Sequence, residues 1–315
     1  DLFFVLSGFL ITRILLHHRE AENYFRVFYL RRVARIFPLY YFVLLLFWSL
    51  RWMAQQGNLL PAALFASAMP LWPYFLYLQN FSMVLHGTFG NEFLAVTWSL
   101  AVEEQFYLFL PFLVRKSERR KFPVLAGFLV IFPLMLRYTL GSGHFYDFVL
   151  MPWRMDALFF GALLAIVEAA PGGLALAQRY GGVLKAVLGV LVAFFVYTSF
   201  AEPLGTLKHF FLLGLMYALL ILLLISDDSA WLAHLFKAPF LRFLGGISYG
   251  IYLFHQMVNG ILHALVLHRS PRLVDAHSAA VTVLAGLVTC LLALATYHGF
   301  EKRLIAWGHR FRYRG

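Results

Sequence analysis

Nine stretches of this chain stay mostly apolar for long enough to enter or cross a lipid bilayer, and nothing else in the sequence limits the fold so severely. They lie near residues 2 to 17, 36 to 53, 97 to 114, 122 to 140, 149 to 168, 183 to 200, 209 to 226, 244 to 267 and 278 to 298. A hydrocarbon core about 30 Å thick needs about 20 residues of helix, and a backbone inside it must satisfy its own N–H and C=O groups. With 62% hydrophobic residues, 13% charged and a mean hydropathy of +0.75, a chain of 315 residues is too apolar and too poor in charge for a soluble domain. The expected fold is all-α, a polytopic membrane helix bundle.

A tenth apolar stretch, 61 to 80, carries Pro61, Pro70 and Pro73. Prolines so close together remove backbone donors at membrane depth, which favours a re-entrant or interfacial hairpin over a straight crossing. The basic residues agree, because Lys and Arg concentrate in cytoplasmic loops. If 61 to 80 does not cross, 20 of the 26 Lys and Arg fall inside; if it does, the split is 11 against 15. The non-crossing arrangement puts the tail from Glu301 onward in the cytoplasm.

The formal charge of +11 raises the possibility of nucleic acid, but the basic residues sit between apolar spans, where anionic lipid and topology explain them; nucleic acid is discarded. The lone Cys290 allows no disulfide framework, and no HExxH or CxxC spacing supports a metal. The opening DLFFVLSGFLIT lacks a basic n-region and a cleavage site. It reads as a span already under way, so residues 1 to 315 are expected to be one membrane domain, N-terminally truncated.

The chemistry centres on TWSLAVEEQFYLFLP, Thr97 to Pro111. An ionised group in hydrocarbon costs about 2.5 to 3.5 kcal/mol on insertion scales, which makes it a functional suspect. On a helix, Ser99, Glu103 and Tyr107 share one face at i, i+4, i+8, while Glu104 falls on the next. That stripe suits a polar cavity lining in which Glu103 takes or gives a proton; alternatively one or both carboxylates decorate a helix start at the water interface.

Four further groups stand out. Arg31, Arg32 and Arg35 lie within an arc of about 100° at the mouth of a span, suited to phosphate oxygens or to anchoring at lipid headgroups. Ser7 and Gly8, between Phe4 and Phe9, read as close-packing residues that line a tunnel. Ser248, Tyr252 and His255 share a helix face, and His255 is either a proton shuttle or a structural group. Arg154 and Asp156, two residues apart, do not face each other, so each is expected to pair with another helix.

The blocks FFVLSGFLIT, RRxxRIxPLYY, TWSLAVEEQFYLxxP, RxDALxxGALLA, SYGIYLFHQ and YHGFEKRL, in that order, resemble the membrane acyltransferase family 3 over essentially the whole chain. The resemblance implies a ten-helix enzyme of the bacterial inner membrane, of which nine spans are present here. It would move an acyl group, commonly acetyl from acetyl-CoA, to a hydroxyl of an extracytoplasmic glycan or glycolipid, without a metal. Within that family Arg32 and Arg35 match the RxxR arginines of the acyl-CoA side, Glu103 matches the carboxylate of the TWSLAVEEQFY block, and Phe4, Ser7, Gly8 and Phe9 match FxxSGF. The family's first helix carries an Arg and, ten residues on, the His taken as base. Neither can be assigned here, and His17, His18, His86 and His255 are not in that context. The EKRL block also lacks the proline that many relatives have after Glu301.

The expected mechanism sets the phosphates of acyl-CoA on Arg32 and Arg35, with Arg31 beside them. The thioester then enters a tunnel lined by Phe4, Ser7, Gly8, Phe9, Trp98, Ser99, Glu103, Tyr107, Ser248, Tyr252 and His255. Glu103 and Tyr107 are the candidate catalytic groups. The rival class is a transporter or flippase of a glycan or lipid-linked substrate, since buried carboxylates and broken segments also suit alternating access.

Overall fold

A computed structural model of the protein describes residues 1–57, 60–140, 144–201, 207–227 and 231–315. These residues are 82% helical with no strand, which makes the fold all-α as the apolar pattern demands. The long helices are α1 (Leu2–His17), α2 (Tyr24–Gln55), α3 (Thr97–Lys116), α4 (Phe122–Leu140), α5 (Met151–Ala169), α6 (Gly181–Ala201), α7 (Leu207–Ser226), α8 (Pro239–Leu267) and α9 (Ala276–Thr296). A π-turn, Tyr297–Glu301, carries α9 into α10 (Lys302–His309).

Each of the nine apolar stretches is helical, and among the described residues seven helical segments are long and apolar enough to cross a membrane. The protein is therefore a multi-pass membrane protein. Of the other two, α1 has 16 residues, and α3 carries Glu103, Glu104, Arg115 and Lys116 within its 20. Helix α2 starts at Tyr24, twelve residues before the expected span, because the basic YLRRVAR run continues the same helix. In place of a long helix, 61 to 80 contains only short turns, Ala62–Phe65 and Trp72–Phe75, before the helix Gln79–His86. Gly87 ends that helix in the left-handed region at φ 61°.

The chain folds into two compact units. The first comprises residues 1–21 and 101–238. Its core is α1 against α5, brought so close that side chains at two positions would meet backbone. A Cβ on Gly8 would run into the Leu158 carbonyl oxygen, and one on Gly161 into that of Val5. Small residues at such points let helices approach where no water drives them together. Helices α4 and α7 pack on the same α5.

The second unit comprises residues 22–100 and 239–315. Helices α8 and α9 form its main pair, and α10 lies along α2. The proline segment is held by side chains of the PLYY sequence: Tyr40 donates to the Tyr74 carbonyl at 2.7 Å and Tyr41 to that of Phe75 at 2.8 Å. Gln79, fully buried, donates to the Thr97 carbonyl at 2.8 Å. Non-helical backbone is tolerated in apolar surroundings only with such partners, so the adjacent tyrosines let the helix break where the prolines require it.

Candidate active site

In the first unit, α3 presents Glu103 and Tyr107 one turn apart, and α1 brings Ser7 to them. The Tyr107 hydroxyl donates to Glu103 Oε2 at 3.3 Å, and the Ser7 and Tyr107 hydroxyls are hydrogen-bonded to each other. A phenol has one proton to give. With Glu103 ionised that proton points to the carboxylate, so Ser7 donates to the Tyr107 oxygen. The result is a directed chain, hydroxyl to phenol to carboxylate, in which a change of charge on Glu103 is felt at Ser7. Tyr107 is buried, whereas Ser7 and Glu103 are half-buried.

The neighbours of Ser7 have other tasks. Phe4 and Phe9 are buried, Gly8 sits at the backbone contact with α5, and the Phe4 ring lies under the Arg154 guanidinium at 5.7 Å. Arg154 also pairs with Asp1 at 2.5 Å and stacks over Phe210 at 3.7 Å, while Asp156 pairs with Arg137 of α4 at 2.8 Å. Each member of the Arg154/Asp156 pair thus finds a partner outside α5, as their spacing predicted.

In the second unit, Ser99 and Tyr252 meet at 2.8 Å, and the Tyr252 hydroxyl is also bonded to the Val96 carbonyl. The other two members of the α8 stripe turn back on their own helix. Ser248 donates to the Gly245 carbonyl at 2.9 Å, and His255, exposed, bonds through Nδ1 to the Tyr252 carbonyl at 2.7 Å. Trp98 is half-buried beside Ser99 in sequence.

The three arginines differ in what they touch. Arg31 donates through Nε and Nη2 to the Phe311 carbonyl at 3.0 and 2.6 Å, and lies 5.1 Å from the Tyr313 ring centre. Burial pushes the Tyr313 phenol up, against the pull of Arg31 and Arg32. Asn23 adds a bond to the Arg312 carbonyl at 2.9 Å, so the C-terminal tail is clasped to the start of α2. Arg35 is exposed and within electrostatic reach of Glu301. Glu301 is buried at the end of the π-turn. Sequence reasoning did not single it out, although an acidic residue three positions after an apolar run carries a signal like that of Glu103.

A family model described as an acyltransferase domain matches residues 1–298. YrhL of Bacillus subtilis, provisionally named a peptidoglycan O-acetyltransferase, is 30% identical over 334 aligned positions, covering 98% of this chain and 50% of its own length. The peptidoglycan O-acetyltransferase OatA of Listeria monocytogenes is 29% identical over 287 positions, covering 82% of this chain and 44% of its own. A provisionally named O-acetyltransferase of Staphylococcus aureus strain COL is 26% identical over 293 positions, covering 84% and 46%. The chain spans about half the length of these curated relatives. No solved structure matches it.

Proposed function

The chain belongs to this acyltransferase family, and from that premise we propose that it transfers an acetyl group from acetyl-CoA, taken up at the cytoplasmic face of the bacterial inner membrane, to a hydroxyl of an extracytoplasmic glycan. Peptidoglycan is the first acceptor to test, since relatives are named for it. The observation that carries the reading is the chain Ser7–Tyr107–Glu103, a polarised hydroxyl array ending in a carboxylate within a multi-pass helix bundle.

Arg32 and the exposed Arg35 hold the phosphates of the donor through charge-assisted bonds. The acceptor oxygen forms its bond to the thioester carbonyl carbon, the C–S bond breaks, and coenzyme A leaves as thiol after gaining the proton that the acceptor loses. Glu103 stabilises that proton in transit, and Tyr107 and Ser7 fix its orientation. The basic loops and tail support a cytoplasmic C-terminus.

The test is label transfer from radioactive acetyl-CoA to glycan by the full-length protein in vesicles. Wild type is expected to release free CoA and leave label on glycan. Glu103→Gln should lower the rate about 10²- to 10⁴-fold, the usual worth of a positioned acid or base, with donor affinity unchanged. Arg35→Ala should weaken donor affinity instead. Glycan crossing the bilayer without label or CoA release would replace this reading with a flippase.

A further inference from the structure

Beside the C-terminal half of α2, the second unit contains a cavity of about 260 Å³ that the donor chemistry does not use. It is lined by three segments remote in sequence: the Ala62–Phe65 turn with Ala66, the Gly90–Phe93 bend, and the residues around Gly260 and Ser270 on and after α8. Phe65 packs on Phe47 at 5.7 Å between ring centres. Phe47 lies twelve residues beyond Arg35, about 18 Å along the helix. The cavity is thus displaced along the helix from the arginines toward the end that the charge distribution puts outside.

Its walls are fixed before any ligand arrives. Asn91 donates to the Leu64 carbonyl at 2.9 Å and the Ala66 carbonyl at 2.8 Å, and accepts from the Phe93 amide at 2.9 Å. One buried amide therefore staples the bend to the turn. The edge of the Phe93 ring fills the space that a Cβ on Gly260 would need. On the third side, Arg269 bonds both carboxylate oxygens of Asp275, which caps α9.

The lining mixes apolar surface from Ala66 and Phe93 with the exposed Glu92 carboxylate and the Ser270 hydroxyl, and among the described residues no lining side chain is cationic. That combination suits a ring with apolar faces and hydroxyl edges, and disfavours an anion. The volume lies just under the range of about 300 to 1,000 Å³ usual for drug-sized ligands, closer to one sugar residue than to a coenzyme A. We propose that this cavity is a holding subsite for one uncharged sugar residue of the acceptor glycan, with Glu92 and Ser270 accepting its hydroxyl protons. The inference rests on the transferase reading above and gives that reading an acceptor side.

The probe is the N-acetylglucosamine tetramer, titrated calorimetrically into full-length protein in nanodiscs and then used as acceptor. Ala66→Trp, at an exposed lining position, should fill the cavity and weaken tetramer binding at least tenfold. Glu92→Gln should weaken it about fivefold, the worth of one hydrogen bond. Acetyl-CoA affinity in both variants should stay within twofold of wild type, which also reports intact folding. Variants that bind the tetramer as wild type does, or a wild type that does not bind it, overturn the subsite and leave the transferase reading standing on label transfer. Binding that the two variants abolish, in a protein that transfers no label, upholds the subsite and removes the transferase.

Discussion

The two units handle buried polarity differently. In the first, Arg137 and Asp156 form an ion pair with side chains 0% and 1% exposed, and Arg154 meets Asp1 nearby. In the second, Tyr40 and Asn91 are neutral and bond main-chain carbonyls of the broken segment, while Gln79, neutral too, ties that segment to the Thr97 carbonyl at the start of α3. The difference follows from what each unit must hold. Continuous helices satisfy their own backbone, so side chains are left to join helix to helix. A chain broken by three prolines exposes carbonyls that neutral donors can reach without burying a charge.

The comparison breaks first at Arg137. Removing one partner of a buried ion pair leaves the other charged and unpaired, at a cost of about 3–5 kcal/mol. Arg137→Ala should therefore lower the unfolding midpoint of the detergent-solubilised protein more than any neutral variant in the second unit. The double variant Arg137→Met/Asp156→Leu should recover most of that loss. No recovery would mean that the pair contributes through something other than its charges.

The neutral contacts should cost less and in proportion to the bonds removed. Asn91→Ala breaks three bonds and orphans two carbonyls, and is expected to cost about 2–3 kcal/mol; Tyr40→Phe removes one donor to the Tyr74 carbonyl, which keeps the Tyr77 amide at 3.4 Å, and should cost about 1 kcal/mol. Both are read as midpoint shifts beside Arg137→Ala. Tyr40→Phe exceeding Arg137→Ala would invert the contrast between the units.

How much of this was legible in the sequence depended on the range of the interaction. Helix positions follow from apolar length, and the broken segment from Pro61, Pro70 and Pro73, because both signals are local. Glu103 and Tyr107 meet as their i, i+4 spacing requires. Ser248, Tyr252 and His255 satisfy a similar spacing, yet only Tyr252 reaches Ser99, since Ser248 and His255 have a carbonyl of their own helix closer at hand. Periodicity places a side chain on a face but does not choose its partner. Contacts between segments far apart in the chain, whether by about 25 residues or by 280, carry no periodic signal at all. The Arg31 clasp on the tail and the Asn91 staple are of that kind, which is why Arg31 read as a third phosphate ligand and Asn91 passed without notice.

An exposed charge pair sharpens the same contrast at its weakest point. Arg269 holds the Asp275 carboxyl well below the usual carboxylate range, and the Ser278 amide, donating at 2.7 Å, adds to the effect. A carboxyl that binds its proton more weakly in the folded state stabilises that state while both forms are ionised. The contribution is thus present above the ordinary carboxylate pKa of about 4. It is lost as pH falls through that value toward the folded one, because the unfolded chain then takes up the proton first. Asp275→Asn keeps a competent helix cap and removes the charge. The midpoint gap between wild type and this variant should be constant from pH 7 to about 5 and close as pH falls below about 4. Because the pair is open to solvent, salt should narrow the gap at neutral pH as well, whereas the Arg137→Ala loss should resist salt. No gap at any pH or salt would mean that Asp275 acts only through its hydrogen bond from the Ser278 amide, which asparagine keeps, in the neutral manner of Asn91.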